Sequence, residues 1–184
     1  SNRERLGFNL NYKILDETNA AILIHLNSNF TLGKSQIYAD TILKSKDLGI
    51  ELGDYEKYLD VIKYELREYG ESISDIGENL IQKRSKIHLE NDIKMQRKLY
   101  KNMNEAYRDL VDYDALVKAW KSYEKIKKNK NLIDYPDMNI YALEYLANDD
   151  TILQNYDYII VDEFQDTNEL QYQLIKKFTE YNEH

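Results

Sequence analysis

Asp162 and Glu163 stand side by side at the end of an apolar run, Tyr158 to Val161, and adjacent carboxylates in that setting suit a phosphate-bound magnesium ion. The run, the two acids and the following Phe164, Gln165, Asp166, Thr167 and Asn168 predict a strand that delivers its acids to the carboxyl end and then gives way to a helix. In an open α/β sheet, ligands bind in the crevice beyond the strand ends. Asp162 would hold Mg²⁺ directly or through water, because this ion takes only one or two protein carboxylates beside substrate phosphates. Glu163 would be left to orient and deprotonate the attacking water, as phosphoryl transfer requires. Taken alone, these residues equally fit a buried strand that ends in a solvated acid.

The elements around them follow from composition. A chain of 184 residues holds one ordinary domain, or a small domain plus part of another. Its 42% hydrophobic content and 17 Tyr suffice for a core, while one Pro and six Gly argue for long helices with few turns. Without Cys there is neither a disulfide framework nor a thiolate metal site. His25, His88 and His184 share no metal-ligand spacing. No run approaches the roughly 20 apolar residues of a membrane span and no signal segment opens the chain, so a cytoplasmic protein without membrane contact is expected. The net charge is −8, yet Lys83 to Lys130 holds 14 basic and 7 acidic residues. That basic middle fits a nucleic-acid face, and equally the solvated side of long helices.

Along the chain, Ser1 and Asn2 read as an expression remnant and Tyr12 to Leu15 as a short extended run. Asp16 is placed to cap a helix from Glu17 to about Leu26. Gly33, Lys34 and Ser35 spell the end of a phosphate loop, but Ser28 stands where that loop needs its first Gly and no strand precedes it. Ile37, Thr41 and Ile42 behind it predict an ordinary helix. Asp54 is expected to cap another, with Tyr55, Tyr58, Leu59, Ile62, Leu66 and Tyr69 on one face and Gly70 closing it. This aromatic stripe reads as core, since base-stacking residues sit singly in exposed grooves. From Ser74 to Lys130 the pattern predicts long helices, one carried by Ile93, Tyr100, Met103, Tyr107, Leu110 and Val111 and another by Leu116, Ala119, Trp120, Tyr123 and Ile126. Asn131 to Met138 forms a join, with Pro136 in the first turn of a helix to about Leu146. Asp166 or Thr167 is expected to cap a last helix whose Leu170, Leu174, Ile175 and Phe178 face inward.

The run Val161 to Asn168, VDEFQDTN, followed by Gln171, resembles motif II of the superfamily 1 DNA helicases of the UvrD, Rep and PcrA type. Tyr12, Ile14 and Asp16 are similar to the F-x-I-x-D segment that opens their helical domain 1B. In that domain a helix ends in a Lys-bearing stretch, which Lys44 to Asp47 resembles. Asn131 to Met138 resembles the N-x-L-D-F-D-D-L stretch ahead of motif II, with Asp134, Tyr135 and Asp137 matching and Pro136 replacing an acid. The role of that lost carboxylate is therefore not carried over.

The resemblance implies a mainly α fold, a helical bundle like helicase domain 1B over residues 1–130, with one or two short strands left from a truncated RecA-like α/β domain. Residues 131–184 would be part of the ATP-binding domain 1A carrying motif II, the Walker B element. It implies ATP-driven 3′ to 5′ translocation on single-stranded DNA and unwinding of duplex DNA, in repair or replication. Asp162 would be the metal ligand, Glu163 the catalytic base, and Gln165 would sit at the bound ATP and pass its state to DNA-binding segments. No phosphate loop precedes motif II and no Arg-bearing second domain follows, so an internal fragment is expected, inactive by itself until the rest of the helicase chain completes the site. Two other readings remain: a helicase subunit of a nuclease-coupled recombination enzyme of the RecB/AddA type, and a non-catalytic DNA-binding or docking module.

Overall fold

Side-chain caps set where the helices begin. In the computed structural model, which describes residues 12–82 and 86–182, Asp16 accepts a hydrogen bond from the Asn19 N–H at 2.7 Å and starts α1, Glu17–Leu26. Thr31 caps α2, Leu32–Asp47, by accepting from the Lys34 N–H. Gly33, Lys34 and Ser35 therefore form the first turn of a helix, as the sequence predicts, and Ser35 is wholly buried. The two helices pack together, and Ala20, Ala21 and Ile24 of α1 and Tyr38, Ala39, Ile42 and Leu43 of α2 are buried. Small residues on α1 allow the close approach. The end of α2 is a Schellman turn: the Gly49 N–H donates to the Lys46 carbonyl and the Ile50 N–H to that of Ser45, both at 2.9 Å. Gly49 adopts φ +73°, a conformation in which a side chain is strained.

The chain divides into two compact units. The first comprises residues 1–51 and 119–184, the second Leu52–Lys118. In the first, β1, Lys13–Leu15, pairs in parallel with β2, Leu132–Asp134, in the register Lys13 to Leu132 and Leu15 to Asp134. The sequence reading assigns β2 only to the join. α5, Tyr135–Asn148, follows at once through a capping box in which Asp134 and Asp137 each accept the other's backbone N–H. Pro136 lies in its first turn, as expected. A 3₁₀ turn, Thr151–Asn155, places the buried Leu153, and α6, Glu169–Asn182, packs on α5. The second unit holds α3, Leu52–Gln82, and α4, Lys86–Lys130, as far as Lys118. There Tyr55 stacks on Tyr113 at 5.2 Å, Tyr58 meets it edge-on at 5.3 Å, and Leu59, Leu116 and Val117 are buried.

Six expectations are corrected. Asp54 lies inside the first turn of α3, which begins at Leu52, and is not its cap. The two helices expected over Ile93 to Val111 and Leu116 to Ile126 are one continuous helix, α4. Tyr158 to Val161 is not a strand: the segment has no sheet pairing, and Tyr158 and Ile160 are 90% and 93% exposed. A strand exists only when a neighbour takes its N–H and C=O groups, and the two strands among the described residues pair with each other. Gly70 does not close a helix; α3 runs through it, since one Gly costs about 1 kcal/mol relative to Ala, too little to end so long an element. Tyr58 and Val111, read as inward, are exposed. The cap of α6 is Asn168, one residue past the expected position, accepting the Gln171 N–H at 2.9 Å. The expectations for Ser1, Asn2, Lys83 and His184 lie outside the described residues, as do the side chains of Tyr69, His88, Ile93, Tyr100, Met103 and Tyr107. Among the described residues no helix is long and apolar enough to cross a membrane.

Candidate nucleotide site

Without a strand beneath them, Asp162 and Glu163 still share one place. With Ile160, Val161, Asp166, Thr167, Gln171, Leu174 and Ile175 they line an open cleft of about 520 Å³. Glu163 sits in the left-handed region, φ 49° and ψ 45°. For a residue with a Cβ this costs roughly 1–2 kcal/mol, and local bonds offset it. The Asp162 carboxylate accepts the Glu163 N–H at 2.9 Å, and the Glu163 carbonyl accepts the Asp166 N–H at 2.8 Å. The Gln165 amide donates to Glu163 Oε2, so the glutamine touches the glutamate directly. Asp162, Glu163 and Gln165 are all exposed. The arrangement presents hard oxygen donors to solvent on one side of a cleft, a donor set that suits Mg²⁺.

Immediately downstream, Asn168 and Gln171 form a reciprocal cap. The Asn168 N–H donates to Gln171 Oε1 at 3.1 Å while Asn168 Oδ1 accepts from the Gln171 backbone. Their spacing thus has a structural use. The Asn168 amide also donates to Asp47 Oδ1, at the end of α2, at 2.8 Å.

The sequence reading does not assemble a second group of carboxylates, which lies away from the residues lining the cleft. Asp134 is fully buried and Asp137 nearly so, with the ammonium groups of Lys46 and Lys127 between them. Lys46 Nζ reaches both Asp134 oxygens at 2.8 and 2.9 Å, Asp137 Oδ1, and Glu124 at 3.3 Å. Lys127 Nζ lies 2.6 Å from Asp134, 2.7 Å from Asp137 and 3.0 Å from Glu124. The Tyr123 hydroxyl donates to Asp134 at 3.1 Å and the Trp120 indole to Glu124 at 3.3 Å. Burial alone would raise the Asp134 pKa, but Lys46 and Lys127 override it and hold the carboxyl down at about 2. Burial likewise opposes the Lys46 charge, and Asp134, Glu124 and Asp137 outweigh it, pushing its pKa up. Tyr123 is raised by burial and then by Asp134.

Glu124, Asp134 and Asp137 come close enough to chelate a metal, but two ammonium groups already fill that space. The cluster is structural: it ties α2, the last turns of α4 and the start of α5 into one piece. It also corrects one expectation, because Lys127, read as part of a DNA-facing basic stretch, is buried and paired. Lys125 and Lys128 beside it are exposed. A usable signal was present. Trp120, Tyr123 and Lys127 are spaced i, i+3, i+7, as are Ala39, Ile42 and Lys46, so each lysine continues a buried stripe.

Comparison with known proteins supplies the context. Residues 2–184 match the model of the UvrD/REP helicase N-terminal domain. The chain is 40% identical over 85 residues, 44% of its length, to the "Probable DNA helicase II homolog" of Mycoplasma genitalium, covering 12% of that protein. It is 32% identical over 146 residues, 75% of its length, to the protein of that name from Mycoplasma capricolum subsp. capricolum, covering 17% of it. Over 119 residues, 63% of the chain, it is 27% identical to an ATP-dependent helicase/nuclease subunit of Alkaliphilus oremlandii, covering 9% of that protein. These matches thus span less than a fifth of each of the curated relatives. No solved structure matches it significantly. With a family model matched along nearly its whole length, the chain belongs to the UvrD/REP helicase N-terminal domain family.

Proposed function

We propose that this chain serves an ATP-dependent DNA helicase that couples ATP hydrolysis to 3′ to 5′ movement on single-stranded DNA and to duplex unwinding in repair or replication. The observation that carries the reading is the placement of Asp162, Glu163 and Asp166 along one open cleft, within a chain of this family. Asp162 is the metal ligand, with Asp166 close by as a further oxygen donor. Mg²⁺ held by these carboxylates would supply positive charge against the charge that develops on the phosphates during transfer. Glu163 accepts the proton of the attacking water. Gln165, already bonded to Glu163, holds that carboxylate in place and carries the state of the nucleotide outward.

In this reading residues 1–130 are the helical domain 1B-like part and 131–184 part of the ATP-binding domain 1A with the Walker B acids. The phosphate-binding loop and charge-stabilising arginines come from other segments of the natural protein, and DNA contact falls to exposed basic residues of α4 such as Lys121, Lys125 and Lys128. In this reading the protein works in the cytoplasm. Glu163→Gln, made in the natural protein that contains this chain, keeps the shape but not the base, and should lower ATP turnover by about 10² to 10⁴ while nucleotide binding survives. Near-normal turnover would remove Glu163 from the role and favour a docking module. Similarity to a helicase/nuclease subunit over 63% of the chain supports a second reading, a helicase subunit of a nuclease-coupled recombination enzyme. Co-purification of an ATP-dependent DNA-degrading activity would select it.

A further inference from the structure

We infer that Asp47 and Asn168 form a positioning pair for the nucleotide cleft, a tether that fixes the Asp162–Thr167 turn to the end of α2; this inference rests on the functional reading above. Asn168 uses every polar group it has. Its backbone N–H and Oδ1 engage Gln171 at the start of α6, and its side-chain amide donates to Asp47 at 2.8 Å. Among the described residues, no other side-chain hydrogen bond from 162–168 reaches beyond Gln171. The upstream side of the turn offers no substitute, since Tyr158 to Val161 has no sheet pairing. Asn168 also stands between two lining residues of the cleft, Thr167 and Gln171.

The other end of the tether is rigid. Asp47 is half-buried and sits within the Schellman turn, Ser45 to Ile50, that fixes the end of α2. Its neighbour Lys46 is bound to Asp134, Asp137 and Glu124. The acceptor is thus held by a buried ionic cluster, and the donor caps the helix that follows the acids. Losing the bond would leave the strained Glu163 turn free to shift, and a misplacement of about 1 Å can cost up to about 10²-fold in rate.

The pair can be broken and rebuilt without disturbing the cap. Asn168→Asp still caps α6, since Asp and Asn cap equally well, but it has no N–H to give and faces Asp47 with a like charge. Asp47→Asn keeps an acceptor oxygen. In the double variant Asp47→Asn with Asn168→Asp, donor and acceptor are exchanged and the bond can re-form. In the natural protein, kcat for Mg-ATP hydrolysis should fall about tenfold or more in Asn168→Asp and in Asp47→Ala, stay within about twofold in Asp47→Asn, and recover in the double variant. Hydrogen exchange of peptides spanning 162–171 should quicken in the two impaired variants and return to normal in the exchanged one. Exchange at the wild-type rate in both would show that no tether exists. Faster exchange with normal kcat in both, while Glu163→Gln is inactive, would overturn the positioning role. If Glu163→Gln itself turns over normally, the functional reading fails, and the exchange data still decide the tether. Should Asn168→Asp fail to fold, Asp47→Ala and the double variant carry the test.

Discussion

The chain uses carboxylates in two opposite ways, and the contrast separates architecture from chemistry. Asp134 and Asp137 are buried, and their oxygens are taken up by Lys46, Lys127, Tyr123 and each other's backbone. Asp162 and Glu163 are exposed, on a turn that includes a left-handed residue. Isolated charges cannot be taken from water without partners, so the buried pair is fully neutralised. The exposed pair keeps lone pairs free. A group of acids whose bonds are already complete holds a fold together, whereas acids with oxygens open to a cleft keep donors for the metal ion proposed above.

The sharpest way to break the comparison is to remove Asp134. Asp134→Ala leaves two buried ammonium groups with one fewer anion and should destabilise the first unit by about 3–5 kcal/mol, read as a drop in the urea midpoint. The same loss is not expected for Asp162→Ala, whose side chain accepts only from the adjacent Glu163 N–H. Equal losses in both would erase the distinction between the two sets.

Acid should act in the same direction, with a smaller effect. The Asp134 pKa falls from 3.8 unfolded to about 2 folded. A depressed carboxyl contributes stability that is complete above the unfolded value and is lost as pH falls from about 4 through about 2, on the order of 2 kcal/mol. Lys46 works at the other extreme: its pKa is raised above 10.5, so its contribution is present below that value and disappears as pH rises beyond it. Stability of the wild-type chain measured from pH 5 to 2 should fall more steeply than that of Asp134→Ala. Parallel curves would mean that Asp134 is not the group being protonated.

A third test concerns lysines on either side of the division. Lys125 and Lys128 are exposed and Lys127 is buried. If α4 contacts DNA, Lys125→Ala and Lys128→Ala should each flatten the salt dependence of binding by roughly 0.7–0.9 in log–log slope. Lys127→Ala should instead lower stability. An unchanged slope in the first two assigns them to the solvated side of the helix.

Much of this arrangement is legible in the sequence where one residue decides a local outcome. Asp16 and Pro136 mark helix starts because a cap or a missing N–H acts within four residues. Asp162, Glu163 and Gln165 fall within four consecutive positions, so the sequence brings them together without help from the fold. What depends on distant partners is not legible in the same way. The apolar run Tyr158 to Val161 has the composition of a strand, but pairing needs a neighbour that the pattern does not provide. Lys127 and Lys128 look alike in composition; only the stripe through Trp120 and Tyr123 tells them apart. The Asp47 to Asn168 bond joins residues 121 positions apart, and no local rule predicts it.

Ser35 gives the smallest effect and the subtlest test of the same principle. The hydroxyl is wholly buried and has no hydrogen-bond partner, the one such side-chain atom among the described residues. It thus differs from Asp134, which is just as buried but fully engaged. A buried polar group without a partner costs about 1–3 kcal/mol in desolvation, whereas a methyl in its place has none to lose. Ala also suits a helix interior slightly better than Ser. Ser35→Ala should therefore leave the first unit as stable or raise its stability by up to about 1 kcal/mol, measured by urea denaturation beside Asp134→Ala. A loss of more than about 1 kcal/mol would show that the hydroxyl has a hydrogen-bond partner in solution, and would place Ser35 with Asp134 among the buried polar side chains whose bonds are complete.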